Sequence, residues 1–151
     1  MTKNSEIDEY DRKIIQALLE DGRMSITALA ERIGLSKTPT QLRLKRLLQD
    51  GYIEGFRAVL SAAKLGLDHV AFVEVKLSDT REDALRKFNV AVKKISEVEE
   101  CHMIAGSFDY LLKVRTRDIK AYRFVLGEKL TSLPHVANTS TFVAMQSVKE
   151  K

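Results

Sequence analysis

The stretch GLSKTPTQLRLKRL, Gly34 to Leu47, decides how the first third of this chain reads. It sets a glycine where one helix stops, a serine or threonine (Ser36 or Thr38) where the next starts, and Pro39 in the first turn of that next helix. Proline costs nothing there, because the N–H it lacks has no partner inside the helix. The helix so begun carries Lys37, Arg43, Lys45 and Arg46, and no acidic residue occurs from Ser36 to Gln49. Such a segment is either a basic helix built for phosphate or the solvated side of an ordinary helix, and its neighbours decide between them.

Upstream, Ser25 is placed to cap a helix of about two turns whose apolar face is Ile26, Leu29, Ala30 and Ile33. Gly34 ends it in the left-handed position, and Leu35 folds back on that face. Further upstream, Asp8 is an N-cap, Ile14, Ile15, Leu18 and Leu19 fall at helical spacing, and Asp21-Gly22-Arg23 is a stop. Leu44, Leu47 and Leu48 are expected to face inward from the third helix. Two helices joined by a tight glycine turn make a helix-turn-helix pattern. The segment YIEGFRAVL, Tyr52 to Leu60, reads as strand-like, a small wing or a linker.

The texture changes after Leu65. HVAFVEVKL (69–77) alternates and is rich in valine, REDALRKFNVAVKKI (81–95) has helical periodicity, and VEECHMIAG (98–106) and YLLKVRT (110–116) are strand-like about the turn Gly106-Ser107-Phe108-Asp109. DIKAYRFVLGEKLTSL (118–133) is helical again, with Ala121, Phe124, Val125 and Leu130 expected toward a core, and VANTSTFVAM (136–145) is a last strand. The order βαββαβ is that of a ferredoxin-like, four-stranded antiparallel sheet with both helices on one face. The fold class is α+β: a helix-turn-helix domain at 1–53, a strand-bearing linker at 54–66 and a ferredoxin-like domain at 67–151. The second face of such a sheet is left bare, and burial against another copy makes at least a homodimer the expected state.

Composition narrows the function. The formal charge of +4 permits nucleic-acid binding without demanding it. Up to Leu60 there are ten basic and nine acidic residues, and beyond it fifteen and twelve, so the acid-free run is a local concentration of charge and not a sample of a basic background. No apolar run approaches the roughly 18 residues that cross a bilayer, the N-terminal MTKNSEIDEYD is acidic where a secretory leader would be basic, and the single Cys101 forbids an internal disulfide. A cytoplasmic protein is expected. His69, His102 and His135 stand in no H-E-x-x-H, and there is no P-loop and no G-x-S-x-G. Cys101 and His102 are strand neighbours that point to opposite faces, a poor metal pair. Neither an enzyme, nor a metal site, nor a cofactor is expected.

In a helix-turn-helix the second helix enters the major groove, its N-terminal side chains meet base edges, and basic or hydroxyl groups around it hold phosphates. Lys37, Gln41 and Lys45 recur every four residues on one face, about 100 degrees from the leucine seam. Gln41 suits a paired hydrogen bond to adenine, Lys37 the acceptors of guanine, and Thr38 and Thr40 a thymine methyl or a phosphate. Arg43 and Arg46 are placed for the DNA backbone. With Ser36, these form the expected DNA-binding set, and a double-stranded operator is the expected partner.

The segment IDEYDRKIIQALLEDGRMSITALAERIGLSKTPTQLRLKRLLQDGYIEGFRAVLSAAKLGL, followed by GSFDYLLKV and LPHVANTSTFV, resembles the Lrp/AsnC, or feast/famine, transcriptional regulators. The resemblance runs from about Ile7 to Val148 and rests on Asp11, Asp21-Gly22-Arg23, Gly34-Leu35-Ser36, Thr38-Pro39, Asp50-Gly51-Tyr52-Ile53 and the Gly106, Asp109, Tyr110 pattern in family order. The family's usual glutamate near Leu48 or Gln49 is missing, which changes a surface charge. The resemblance implies a winged or plain helix-turn-helix, a linker, a C-terminal effector and assembly domain, dimers that associate to octamers, and a small amino-acid effector held between subunits. It also implies an association with the nucleoid. Carried over residue by residue, the effector set is Gly106, Ser107, Asp109 and Tyr110 from the turn and Thr139 and Thr141 from the last strand. A carboxylate for the ligand's ammonium and hydroxyl donors for its carboxylate agree with that chemistry. The texture of the recognition helix fits a member governing catabolism of a single amino acid, such as proline or a branched-chain one. The rival from a neighbouring class is a metabolite-sensing oligomeric module without DNA binding, which the four basic residues oppose.

Overall fold

The computed structural model describes residues 6–150, so the outer ends of the two expected domains, 1–5 and 151, lie outside the described residues. The chain divides into two compact units, the first ending at Ala58 and the second starting at Val59.

The first unit holds three helices, α1 (Glu9–Glu20), α2 (Ile26–Ile33) and α3 (Lys37–Gln49). Asp8 caps α1 in a reciprocal arrangement: its carboxylate accepts from the Asp11 N–H while the Asp11 carboxylate accepts from the Asp8 N–H, both at 3.0 Å. Two of the orphan donors of the helix start are thereby satisfied. Ser25 caps α2 through the Ala28 N–H at 3.2 Å. Gly34 stands at φ +76°, and the Leu35 N–H reaches the Ala30 carbonyl at 3.0 Å, closing the helix as expected. Ile14, Ala17, Leu18, Leu29, Ile33 and Leu47 form the core.

Three details of this unit correct the sequence reading. Leu19 and Leu48 are exposed, and their places in the core go to Ala17 and to a seam of α3 formed by Thr40, Leu44 and Leu47. That seam steps by four and three residues and so starts one turn earlier than the leucines alone indicate. Ser36 is the N-cap of α3, but its side chain makes no capping bond. Residues 52–61 form no strand within the single chain. An extended segment becomes a strand only beside a neighbour, and no segment of this chain pairs with it.

The second unit is the expected βαββαβ. After a short 3₁₀ turn (Ala63–Leu65) come β1 (His69–Leu77), α4 (Glu82–Val92), β2 (Val98–Met103), β3 (Tyr110–Thr116), α5 (Ile119–Val125), a π-helical turn (Leu126–Leu130) and β4 (Val136–Val143). The sheet order is β2-β3-β1-β4, antiparallel throughout. Ala71, Val73, Val75 and Leu77 of β1 join Leu112 and Val114 of β3 under Phe88 and Val92 of α4 and Tyr122 and Val125 of α5. Alternation in β1 and β3 puts every second residue on this buried face, as the sequence pattern requires.

Phe124, expected in the core, is instead exposed, and Tyr122 is buried. Tyr122 and Val125 are one turn apart, and the π-helical turn then delivers Leu130, five residues on, to the same core. The Thr131 N–H bonds the Leu126 carbonyl at 3.0 Å, the five-residue step that accommodates the extra residue.

The opposite face of the sheet carries Phe72 beside Phe142, which are direct partners across β1 and β4. It also carries an ionic group in which Glu150 lies 2.9 Å from Lys113 and 2.6 Å from Arg115, and Glu99 lies 2.6 Å from Arg115. The hydrogen bond to Glu150 first, and that to Glu99 after it, raise the Lys113 ammonium above its ordinary range against the lowering effect of burial, and the bonds to Lys113 and Arg115 hold Glu150 below its own.

Candidate nucleic-acid interface and effector site

Of the residues assigned to DNA, Ser36, Lys37, Thr38, Gln41 and Lys45 are exposed on α3. The glycine-closed turn before α3 and the buried seam on its reverse side hold this face outward. Thr40 is a correction. It is fully buried, and its hydroxyl donates to the Ser36 carbonyl at 2.9 Å, so it packs the helix and cannot meet a base.

Arg43 and Arg46 are half-buried and already paired. Arg43 Nη1 lies 2.7 Å from an Asp8 oxygen and 2.9 Å from an Asp11 oxygen, with its guanidinium over the Tyr10 ring at 5.5 Å. Arg46 bonds the other Asp11 oxygen. The Asp11 side chain is 0% exposed, so this carboxylate depends on both arginines for its solvation. The Asp8 carboxyl is held below its ordinary value, first by the Asp11 N–H and then by Arg43. The acid-free run of α3 is therefore not acid-free in space. Its two arginines meet carboxylates from α1, a pairing signalled in the sequence only by the capping spacing Asp8 to Asp11.

The effector set splits. Asp109 pins the β2–β3 turn: its Oδ2 accepts from the Leu77 N–H at 2.7 Å, its Oδ1 lies 3.4 Å from Lys76 Nζ, and its own N–H donates to the Val75 carbonyl at 2.9 Å. Tyr110 is a core residue, 2% exposed and stacked against Phe88 with ring centroids 4.3 Å apart. Burial is the main reason its phenol is raised above the ordinary value. As an effector residue it is corrected, since its ring has no access to a ligand from solvent. Gly106 and Ser107 are exposed at the turn, and a side chain at Gly106 would make only ordinary contact with Ile104, so the turn itself does not demand glycine.

Thr139 and Thr141 lie on β4 opposite Val75 and Val73, hence on the helix-bearing face. Val75 pairs with Tyr110 on one side and Thr139 on the other, which brings the turn and the start of β4 to one end of the sheet. The Thr141 hydroxyl bonds the Tyr122 hydroxyl. A polar row that the sequence reading missed continues from there: the Tyr122 ring lies 5.5 Å from His69, and His69 Nδ1 is 3.0 Å from the Thr116 hydroxyl. Thr116 itself donates to the Asp118 carbonyl at 3.2 Å, which leaves its oxygen able to accept from the imidazole. Strand parity would have put His69 and Thr141 on one face; the helical partner Tyr122 had no sequence signal.

Three of the clefts among the described residues are lined by none of the six effector residues: one of about 600 Å³ between α1 and Gly51–Arg57, one of about 550 Å³ beside Thr116 and Phe124, and one of about 360 Å³ along α4. Among the described residues no group of histidines, cysteines and carboxylates is arranged to hold a metal ion, and no helix is long and apolar enough to cross a membrane.

Residues 70–151 match the Lrp/AsnC ligand binding domain and residues 7–54 a winged helix-turn-helix DNA-binding domain. The chain is 70% identical over 148 residues to a proline dehydrogenase transcriptional activator of Rhizobium radiobacter, covering 98% of this chain and 95% of that one. It is 44% identical over 145 residues to the leucine-responsive regulatory protein of Escherichia coli K12, covering 96% and 88%. Among solved structures, a transcriptional regulator of Neisseria meningitidis in complex with L-Met superposes with a TM-score of 0.89 at 32% identity, over 96% of this chain and 94% of the other. These relatives are named as transcriptional regulators. The chain belongs to the Lrp/AsnC family and is a DNA-binding transcriptional regulator whose C-terminal unit is an Lrp/AsnC ligand-binding domain.

Proposed function

We propose that this regulator controls proline catabolism, reading its operator through Ser36, Lys37, Thr38, Gln41 and Lys45 and sensing an amino acid at the C-terminal unit. The observation that carries the DNA part is the exposed face of α3, with two exposed lysines flanking Gln41 and a buried seam behind it. Such a face fits the major groove, where glutamine and lysine distinguish base pairs by their acceptor pattern. Proline is favoured as the metabolic link because the 70% and 55% identical relatives are both named as activators of proline dehydrogenase.

The effector site we assign to the β2–β3 turn and the start of β4, using Gly106, Ser107, Thr139 and Thr141, with Asp109 shaping the turn. None of the three clefts described above encloses these residues. A site completed by a second subunit is therefore part of the proposal, as are a homodimer formed over the Phe72 and Phe142 face and its further assembly to an octamer. Work on DNA in the cytoplasm, associated with the nucleoid, belongs to the same reading.

The test is a gel shift with DNA from upstream of a proline dehydrogenase gene at rising salt, run with and without proline, alongside thermal melting against the twenty amino acids. A sequence-selective complex weakening steeply with salt is expected. One amino acid should also raise the melting point by mass action. Equal affinity for scrambled DNA would refute the operator reading.

A further inference from the structure

Four charges meet between α1 and α3, and they sum to zero. Asp8 and Asp11 supply two negative charges and Arg43 and Arg46 two positive ones; Arg43 is within hydrogen-bond distance of both aspartates and Arg46 of Asp11. Outside this cluster α3 has only Lys37 and Lys45 as cations, and both are exposed. The cluster is built and not incidental. Asp11 is wholly buried, each Asp11 oxygen takes one arginine, and the two aspartates are locked to each other by the reciprocal cap of α1. Tyr10 closes one side of Arg43.

A cation that binds DNA contributes to the salt dependence of affinity by neutralising a phosphate and releasing its condensed counterion. An arginine already neutralised by a carboxylate that it cannot leave releases none. Removing either arginine from Asp11 would strand a buried negative charge, which is costly.

Resting on the reading of α3 as the recognition helix, we propose that Asp8 and Asp11 are positioning residues acting as an internal counter-charge: they clamp Arg43 and Arg46 to α1, fix the pose of α3, and withdraw both arginines from phosphate binding. Lys45 is then the phosphate grip of the helix, and Lys37 stays with Gln41 at the base edges. The arrangement favours selectivity, because a helix with four free cations would hold any duplex, whereas one with two relies more on the bases that Gln41 meets.

The experiment is a salt titration of operator and scrambled DNA binding by the full chain and its D8N, R43A and K45A variants. D8N is the informative change, since asparagine remains a good N-cap while the charge is deleted. Deleting the Asp8 charge leaves the cluster at a net charge of +1 with Arg43 still held by Asp11, so the slope of log affinity against log salt should steepen by up to about 0.9, an extra loss of up to about eightfold per decade of salt, and binding to scrambled DNA should tighten. K45A should flatten the slope by about the same amount. R43A should lower affinity for the operator without changing the slope. A flatter slope in R43A with an unchanged one in D8N would overturn the proposal. A melting cycle of D8N, R43A and the double variant reads the clamp without DNA: non-additive shifts are expected, and additive ones would overturn it whatever the DNA data show. If the cycle is non-additive but the unaltered protein shows no salt-dependent binding, the clamp stands as a structural pair, while the recognition-helix reading fails and takes the division of phosphate contacts with it.

Discussion

Replacing Asp109 by alanine separates two roles for that residue. Its Oδ2 accepts the N–H of Leu77, a residue 5% exposed, at 2.7 Å, while its Oδ1 lies 3.4 Å from a half-exposed Lys76 ammonium. Removing the carboxylate leaves the Leu77 N–H buried without an acceptor, a loss of about 1 to 3 kcal/mol. The ion pair adds little, at most about 1 kcal/mol, because its lysine is solvated. A total near 2 kcal/mol follows, and at about 4 to 8 °C per kcal/mol for a unit of this size the C-terminal transition should fall by about 10 °C. Asp109→Asn keeps an oxygen for Leu77 and should lose less than about 1 kcal/mol. The assay is thermal and denaturant unfolding of both variants without ligand, paired with calorimetry of amino-acid binding. If Asp109→Ala melts with the unaltered protein and yet no longer binds the amino acid, Asp109 is a direct ligand partner and the turn-pinning account is wrong.

Other expectations follow from the same geometry. Gly34→Ala places a side chain at φ +76° in otherwise open space, so the cost is conformational alone, about 1 kcal/mol, with Gly34→Asn costing less; denaturant unfolding of the N-terminal unit measures both. Phe88→Ala empties the contact with Tyr110 at the centre of the second core and should cost about 3 to 5 kcal/mol by chemical denaturation. Acid should destabilise the fold. Asp8, Asp83, Glu97 and Glu150 are all held below their ordinary values by hydrogen bonds to N–H groups, lysines or arginines, so their stabilisation is complete above about pH 4.5 and is lost as pH falls through the depressed values. Melting points measured from pH 6 downward should hold and then drop, and a rise on acidification would contradict the sign.

The elements were legible wherever local chemistry decides them. Ser25, Gly34 and Asp8 are punctuation that acts on adjacent backbone, and strand alternation in 69–77 and 110–116 reports a two-sided environment residue by residue. What the sequence hid are pairings between distant segments. Thr40 looks like a DNA contact until the seam of α3 is seen to need a small residue there, and Arg43 and Arg46 look free until α1 is laid beside them. The segment 52–61 has the composition of a strand, yet pairing depends on a partner and not on composition. The assignment of Asp109 to a turn was legible from Gly-Ser-Phe-Asp; its bond to Leu77 was not, because the two residues are far apart in sequence.

The π-helical turn at Leu126–Leu130 has a bearing on how chain length can vary. Val125 and Leu130 reach the same core although they are five residues apart, one more than a regular α-helical turn allows. The surplus is taken up within the turn, at whose exposed Gly127 no neighbour comes within contact distance of an added side chain. Excising Gly127 would leave the two buried residues in an ordinary four-residue relation and let the helix close with regular hydrogen bonds. The second helix of this fold is thus a place where a gene can gain or lose a single codon without shifting the strand that follows, and a one-position gap in a pairwise alignment there would mark a change of helical pitch and not a change of core.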